Sequence, residues 1–143
     1  MGNQPVTHKF VAVLNKKIPV GTVMNALAHT AAGLSASYDQ PELMRFDDYH
    51  DNDGGTHPAI SDNPFIILQA DNSNKLRILR QEAKAKGIHC NDFTSTMTLG
   101  NFLEQQARTK ATHEDELEYY AVCLFGEIEQ LNTITKKFSL WRD

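Results

Sequence analysis

The sequence predicts an α/β domain with a mostly parallel or mixed sheet. Short apolar runs with strand character alternate along the chain with segments of helical periodicity. The first run, Phe10 to Leu14, is continuously apolar, as in a strand buried on both faces of a sheet. At 143 residues, the length suits one domain that buries roughly two-thirds of its unfolded surface.

HKFVAVLN, from His8 to Asn15, is the first strand, and KKIPVG the tight connection after it, punctuated by Pro19 and Gly21. The stretch VGTVMNALAHTAAGL reads as a helix. At about 100° per residue, Val20, Met24, Leu27, Ala31 and Leu34 form its expected core stripe. The opposite face carries Thr22, Asn25, Ala26, His29, Gly33 and Ala36, with no Lys, Glu or Arg. Such a small, partly polar face predicts close packing or a cleft.

Residues 39–64 are rich in Asp, Asn, Gly, Pro and His, and form an inserted irregular loop or hairpin. DNDGG has turn chemistry, with MRFDDYHD and THPAI as hairpin arms. Phe65 to Gln69 is the second strand of the domain. NSNKLRILRQEAKAKG is a helix capped by Asn72 or Ser73, facing inward through Leu76, Leu79 and Ala83, and stopped by Gly87. Ile88 to Phe93 is a third strand, and a helical segment covers about Leu99 to Arg108. LEYYAVCLFG is a fourth strand, EIEQLNTITKKF an amphipathic helix, and SLWRD adds a short final strand.

Composition narrows the function classes. The formal net charge of −4 argues against nucleic acid as a partner, because such binders carry a basic surplus or patch. The nearest basic run, with Lys75, Arg77, Arg80, Lys84 and Lys86, reads as a solvated helix face. No apolar run approaches the roughly 20 residues of a membrane span. MGNQPVTHKF lacks a signal-peptide pattern, so a cytoplasmic location is expected. Cys90 and Cys123 lie in no metal or redox motif and read as structural thiols.

Asn25 and His29, four residues apart, share one helix face. A histidine there serves either as a general acid or base with a partner, or as a hydrogen-bonded packing residue. Asn15 stands at a strand's C-terminal end, where open α/β sheets place ligands. The cluster NDFTSTMT, with Asp92 and Thr94, follows the third strand. It suits either substrate orientation or turn capping. His50, Asp51, Asp53 and His57 do not match a calcium loop: with Gly54 at the sixth position, Tyr49 falls at the first. No metal and no cofactor is expected. IPVGT opens a helix without a Walker or dinucleotide pattern.

KFVAVLNKKIPVGTVMNALAHTAAG resembles the opening strand, turn and helix of type II peptidyl-tRNA hydrolases, and His29 matches their late helical histidine. NSNKLRILRQEAKAKGIHCNDF resembles their second helix and following strand, with Asp92 at the catalytic-region aspartate. LFGEIEQLNTITKKFSLW resembles their closing segment. The VLN, NALAH, LFG and ITKKFSLW elements are also similar to an uncharacterised bacterial family, the domain of unknown function numbered 2000. The resemblance implies a four-stranded mixed sheet flanked by helices and a possible homodimer. Departures from the hydrolases bear on activity. Val20 and Thr22 stand where those enzymes carry lysines, and Phe93, Thr94 and Ser95 replace a Gly-Arg-Thr signature. Release of peptide from tRNA requires a polyanion to be held, largely by Lys and Arg. The expectation is a hydrolase-like scaffold with that activity absent or very weak. Its cleft would bind a small polar ligand over Asn15, Thr22, Asn25, His29, Asp92 and Thr94, with His29 as acid/base and Asp92 as its orienting partner. Two other readings stand beside it. One is a divergent peptidyl-tRNA hydrolase that uses Lys16 or Lys17. The other is an interaction protein whose first helix packs on a partner subunit.

Overall fold

A computed structural model describes residues 4–143 of the chain. Strands β1 (His8–Asn15), β4 (Phe65–Ala70), β5 (His89–Thr94), β6 (Tyr119–Glu127) and β7 (Ser139–Leu140) form one mixed sheet in the order β5-β6-β1-β4-β7. β1 runs parallel to β4 and antiparallel to β6, while β5 and β7 are antiparallel edges. The sheet thus has five strands rather than four. The extra one is SLWRD's contribution, pairing Leu140 with Leu68 and Ser139 with Gln69.

Side chains alternate across the sheet, and each set meets its own helices. Val11, Val13, Val122 and Leu124 pack against Leu76, Leu79 and Ala83 of α2 (Ser73–Ala85) and against Leu131 and Ile134 of α4 (Ile128–Thr135). Phe10, Ala12, Leu14, Ala121, Cys123 and Phe125 pack against α1 (Val20–Ala36) on the other face. β1 therefore has no solvent-facing side, which explains its continuous apolar run.

The buried stripe of α1 is Val23, Ala26, Thr30 and Leu34. This corrects the stripe expected from periodicity. Val20 and Met24 are 58% and 60% exposed, and Leu27 is half-buried. The helix has turned its small residues inward. Ala26 and Thr30 allow close approach to the sheet, and the Thr30 hydroxyl is satisfied 3.0 Å from the Ala26 and Leu27 carbonyls.

α2 begins as expected: the Asn72 side chain accepts from the Lys75 N–H, and Gly87 follows with φ +69°. The insertion is a separate two-stranded sheet, β2 (Phe46–His50) and β3 (Thr56–Ser61), turned at DNDGG. There the Asp51 carboxylate accepts from the Asp53 and Gly55 N–H groups. Between β5 and β6 the chain passes through α3 (Phe102–Lys110), capped by Asn101 and Glu104 in a reciprocal box. No helix among the described residues is long and apolar enough to cross a membrane.

Candidate functional site

The C-terminal ends of β1 and β5 gather beside the start of α1, and most of the expected site residues lie there. Asn15 is 2% exposed. Its Nδ2 donates to the Tyr119 carbonyl at 2.9 Å, and its Oδ1 accepts from the Lys17 N–H at 3.0 Å. It ties β1, the following turn and β6 together beneath the site. Thr94 is fully buried. Its hydroxyl lies 2.7 Å from that of Thr96, which in turn is 2.8 Å from the Thr109 hydroxyl of α3. These hydroxyls bind the end of β5 to α3.

Thr22, Asn25 and His29 are exposed along α1. The His29 ring stacks on Phe93 at 5.7 Å between centroids, and Phe93 lies 6.3 Å from Tyr120. His29 therefore stands over an aromatic pair, with Thr22 and Asn25 exposed on the same helix. α1 has neither an acidic residue in its first turn nor a basic one in its last, and its N-cap, Pro19, makes no side-chain cap bond. Its free N-terminal N–H groups add a weak preference for electron-rich atoms.

Asp92 is not beside His29. Its carboxylate accepts from Arg80 Nε at 2.8 Å on the α2 side of the sheet, whereas Phe93, the next residue, faces α1. A strand turns successive side chains to opposite faces, so these two candidates are separated by β5 itself.

Around Arg80 lies a polar cluster, where the basic run by itself predicts a solvated helix face. Arg77 Nε pairs with Glu114 at 3.3 Å and its Nη2 donates to the Leu117 carbonyl. Tyr119 donates to the same Glu114 carboxylate at 2.6 Å, and its N–H reaches Ser73 Oγ at 2.7 Å. Burial and that bond push the Tyr119 phenol well above its ordinary value. The signal was present in the spacing: Arg77 and Arg80 each follow a core leucine by one position and so flank the buried stripe.

The thiols are shielded. Burial pushes Cys123 up to about 12, and burial followed by the Asp92 charge raises Cys90. In the hairpin, His57 Nε2 sits 2.8 Å from Asp51, and that bond holds the Asp51 carboxyl below its ordinary value. Among the described residues, no group of three or more His, Cys, Asp or Glu is placed to hold a metal ion. Lys16, in the turn before α1, lies 4.1 Å over the Trp141 ring and donates to the Arg142 carbonyl, while Lys17 beside it is exposed.

These features define a class: an α/β protein with helices on both faces of a mixed sheet and a first helix that carries no Lys, Arg, Asp or Glu. More particularly, residues 8–142 match the family model described as protein of unknown function, DUF2000, and the chain belongs to that family. A search of curated proteins returned no match. Among solved structures, the chain is similar to Atu0240, a protein of unknown function from Agrobacterium tumefaciens. The TM-score is 0.81 at 19% identity, over 95% of this chain and 98% of that one. At that identity the likeness establishes the shared fold alone.

Proposed function

We propose that the protein binds a small polar ligand on a shelf beside α1, and that it does not release peptide from tRNA. The observation that carries this reading is the placement of His29, exposed and stacked on Phe93 on a helix without Lys, Arg, Asp or Glu. Thr22 and Asn25 supply neutral donors and acceptors, His29 an imidazole that can hydrogen-bond a ligand, and the half-buried Tyr120 ring an apolar surface beside them. Asn15 and Thr94 position the floor through their buried bonds. Asp92 acts on the site only through β5, by anchoring that strand to Arg80.

The site follows the equivalent cleft of the peptidyl-tRNA hydrolase-like scaffold that the sequence resembles. A tRNA would need several cations here; Val20 and Thr22 provide none and Lys16 is engaged with Trp141 and Arg142, which leaves Lys17 alone. Nucleic acid is therefore not the partner proposed.

A thermal-shift screen with nucleotides, amino acids, small acids and divalent metals tests the proposal. A ligand at about 100 times its dissociation constant adds about 2.7 kcal/mol of stability. A shift that disappears in His29→Ala supports the shelf. A screen without a response, or a response that survives His29→Ala, overturns it. Turnover of peptidyl-tRNA, lost on replacing Lys16 or Lys17, would favour the divergent hydrolase instead.

A further inference from the structure

At the opposite end of α1, a cavity of about 250 Å³ lies over the start of β1, apart from the residues around His29. The sheet register builds its floor. His8 pairs with Glu127, and Phe10 with Phe125, which in turn pairs with His89. Paired residues point to the same face, so His8, Glu127, Phe125 and His89 are brought together on the α1 side. His8 stacks on Phe125 at 5.4 Å. Tyr38, just past the end of α1, closes over them, with its ring 4.9 Å from His89 and 5.0 Å from Phe125. The His89 ring is held in place, since its Nε2 carries the proton donated to the Leu34 carbonyl at 2.8 Å.

Beside the two imidazoles, the charged side chains of this box are acidic. Asp39 and Glu127 line it, and neither Lys nor Arg does. Glu127 precedes α4 but makes no capping bond, and neither carboxylate has an ion-pair partner among the described residues. α1 ends here with no basic residue in its last turn, and its final carbonyls are met by neutral donors, Ser37 at Gly33 and His89 at Leu34. The Tyr38 phenol is raised by burial, then by Asp39 and Glu42, in keeping with a negative surround. Half-buried aromatic rings beside unpaired carboxylates favour a cation that touches a ring while it is neutralised by an acid. The volume is below the roughly 300–1,000 Å³ of drug-sized pockets, which selects a small one.

We propose that this cavity binds a small organic cation, its ammonium or methylated ammonium group seated against the rings of Tyr38, His8 and His89 and neutralised by Asp39 and Glu127. The site is independent of the shelf at His29, and either can fail without the other.

Calorimetric titration of the full chain with choline and tetramethylammonium tests it, alongside 3,3-dimethylbutan-1-ol, the neutral isostere of choline, and magnesium. The cations are expected to bind saturably, and the alcohol at least about tenfold more weakly. Glu127→Gln, at an exposed position, should weaken choline at least about tenfold with the melting transition in place. Tyr38→Ala should do the same. The proposal is overturned by any of three results: neither cation binds up to about 20 mM; the alcohol binds as well as choline; or choline affinity is unchanged in Glu127→Gln. Preferential binding of magnesium would overturn it too, by showing a charge site without a role for the rings.

Discussion

His29 and Asp92 stand on opposite faces of β5: the His29 ring lies 5.7 Å from that of Phe93, while Asp92 bonds Arg80 at 2.8 Å beneath the other face. Replacing either residue therefore tests a different part of the molecule. His29 is exposed, so His29→Ala should change stability by less than about 1 kcal/mol in urea unfolding. A loss several times larger would make His29 a packing residue and count against the shelf.

Asp92→Ala should be the more damaging change. The side chains of Arg80 and Asp92 are only 26% and 18% exposed, so removing the carboxylate strands a half-buried guanidinium. A cost of about 1–3 kcal/mol is expected. In a double-mutant cycle with Arg80→Ala, the two losses should be clearly non-additive. Additive losses would mean that the pair contributes nothing as a pair.

Asn15→Ala leaves the buried Tyr119 carbonyl and the Lys17 N–H without their present partners. Unfolding should register about 1–3 kcal/mol of lost stability. Hydrogen exchange of the Lys17 amide should rise above the change expected from global stability alone. Asn15→Asp keeps the acceptor to Lys17 but removes the donor to Tyr119, so it should recover protection at Lys17 without recovering full stability.

Alkaline pH should unfold the protein through two buried acids. Cys123 moves from an ordinary 9.0 up to about 12, and Tyr119 is raised as well, both first through burial. Their neutral forms are favoured in the folded state, which thus binds more protons than the unfolded chain above the ordinary values. Stability is fully present below about pH 9 and falls as pH rises toward 12. The Cys123 contribution is roughly 2–4 kcal/mol across that window. Urea midpoints at pH 8 and 11 should converge in Cys123→Ala relative to the parent. An equal drop in both proteins would remove Cys123 as a cause.

The exposed apolar side chains of α1 bear on oligomeric state. Val20 and Met24 stand 58% and 60% exposed on a helix without Lys, Arg, Asp or Glu. If the chain forms the homodimer that its resemblance implies through this face, Met24→Lys should convert a dimer to a monomer in sedimentation equilibrium. An unchanged mass would exclude this face as the contact.

Much of the architecture was readable along the chain because each element carries its own local instruction. The apolar FVAVL run marks a strand covered on both sides. Asn72 and Gly87 bracket α2 by side-chain capping and by a positive φ. DNDGG closes the hairpin through Asp51. The inward face of α1 was misread for a definable reason. Val20, Met24 and Leu27 are more hydrophobic than Ala26 and Thr30, and periodicity ranks residues by hydrophobicity, whereas the sheet selected those small enough to let the helix approach.

For this protein the sequence by itself determined the α/β class, the order of its elements, and the neutral character of the first helix, since these depend on local pattern and composition. Only the tertiary structure decided that Asp92 serves Arg80 rather than His29, and that Arg77 and Arg80 are half-buried. It also decided that His8, Tyr38 and His89 meet around two carboxylates. Those relationships follow from strand register and helix rotation. Both are set by long-range packing between residues far apart in the chain, and no local pattern encodes them.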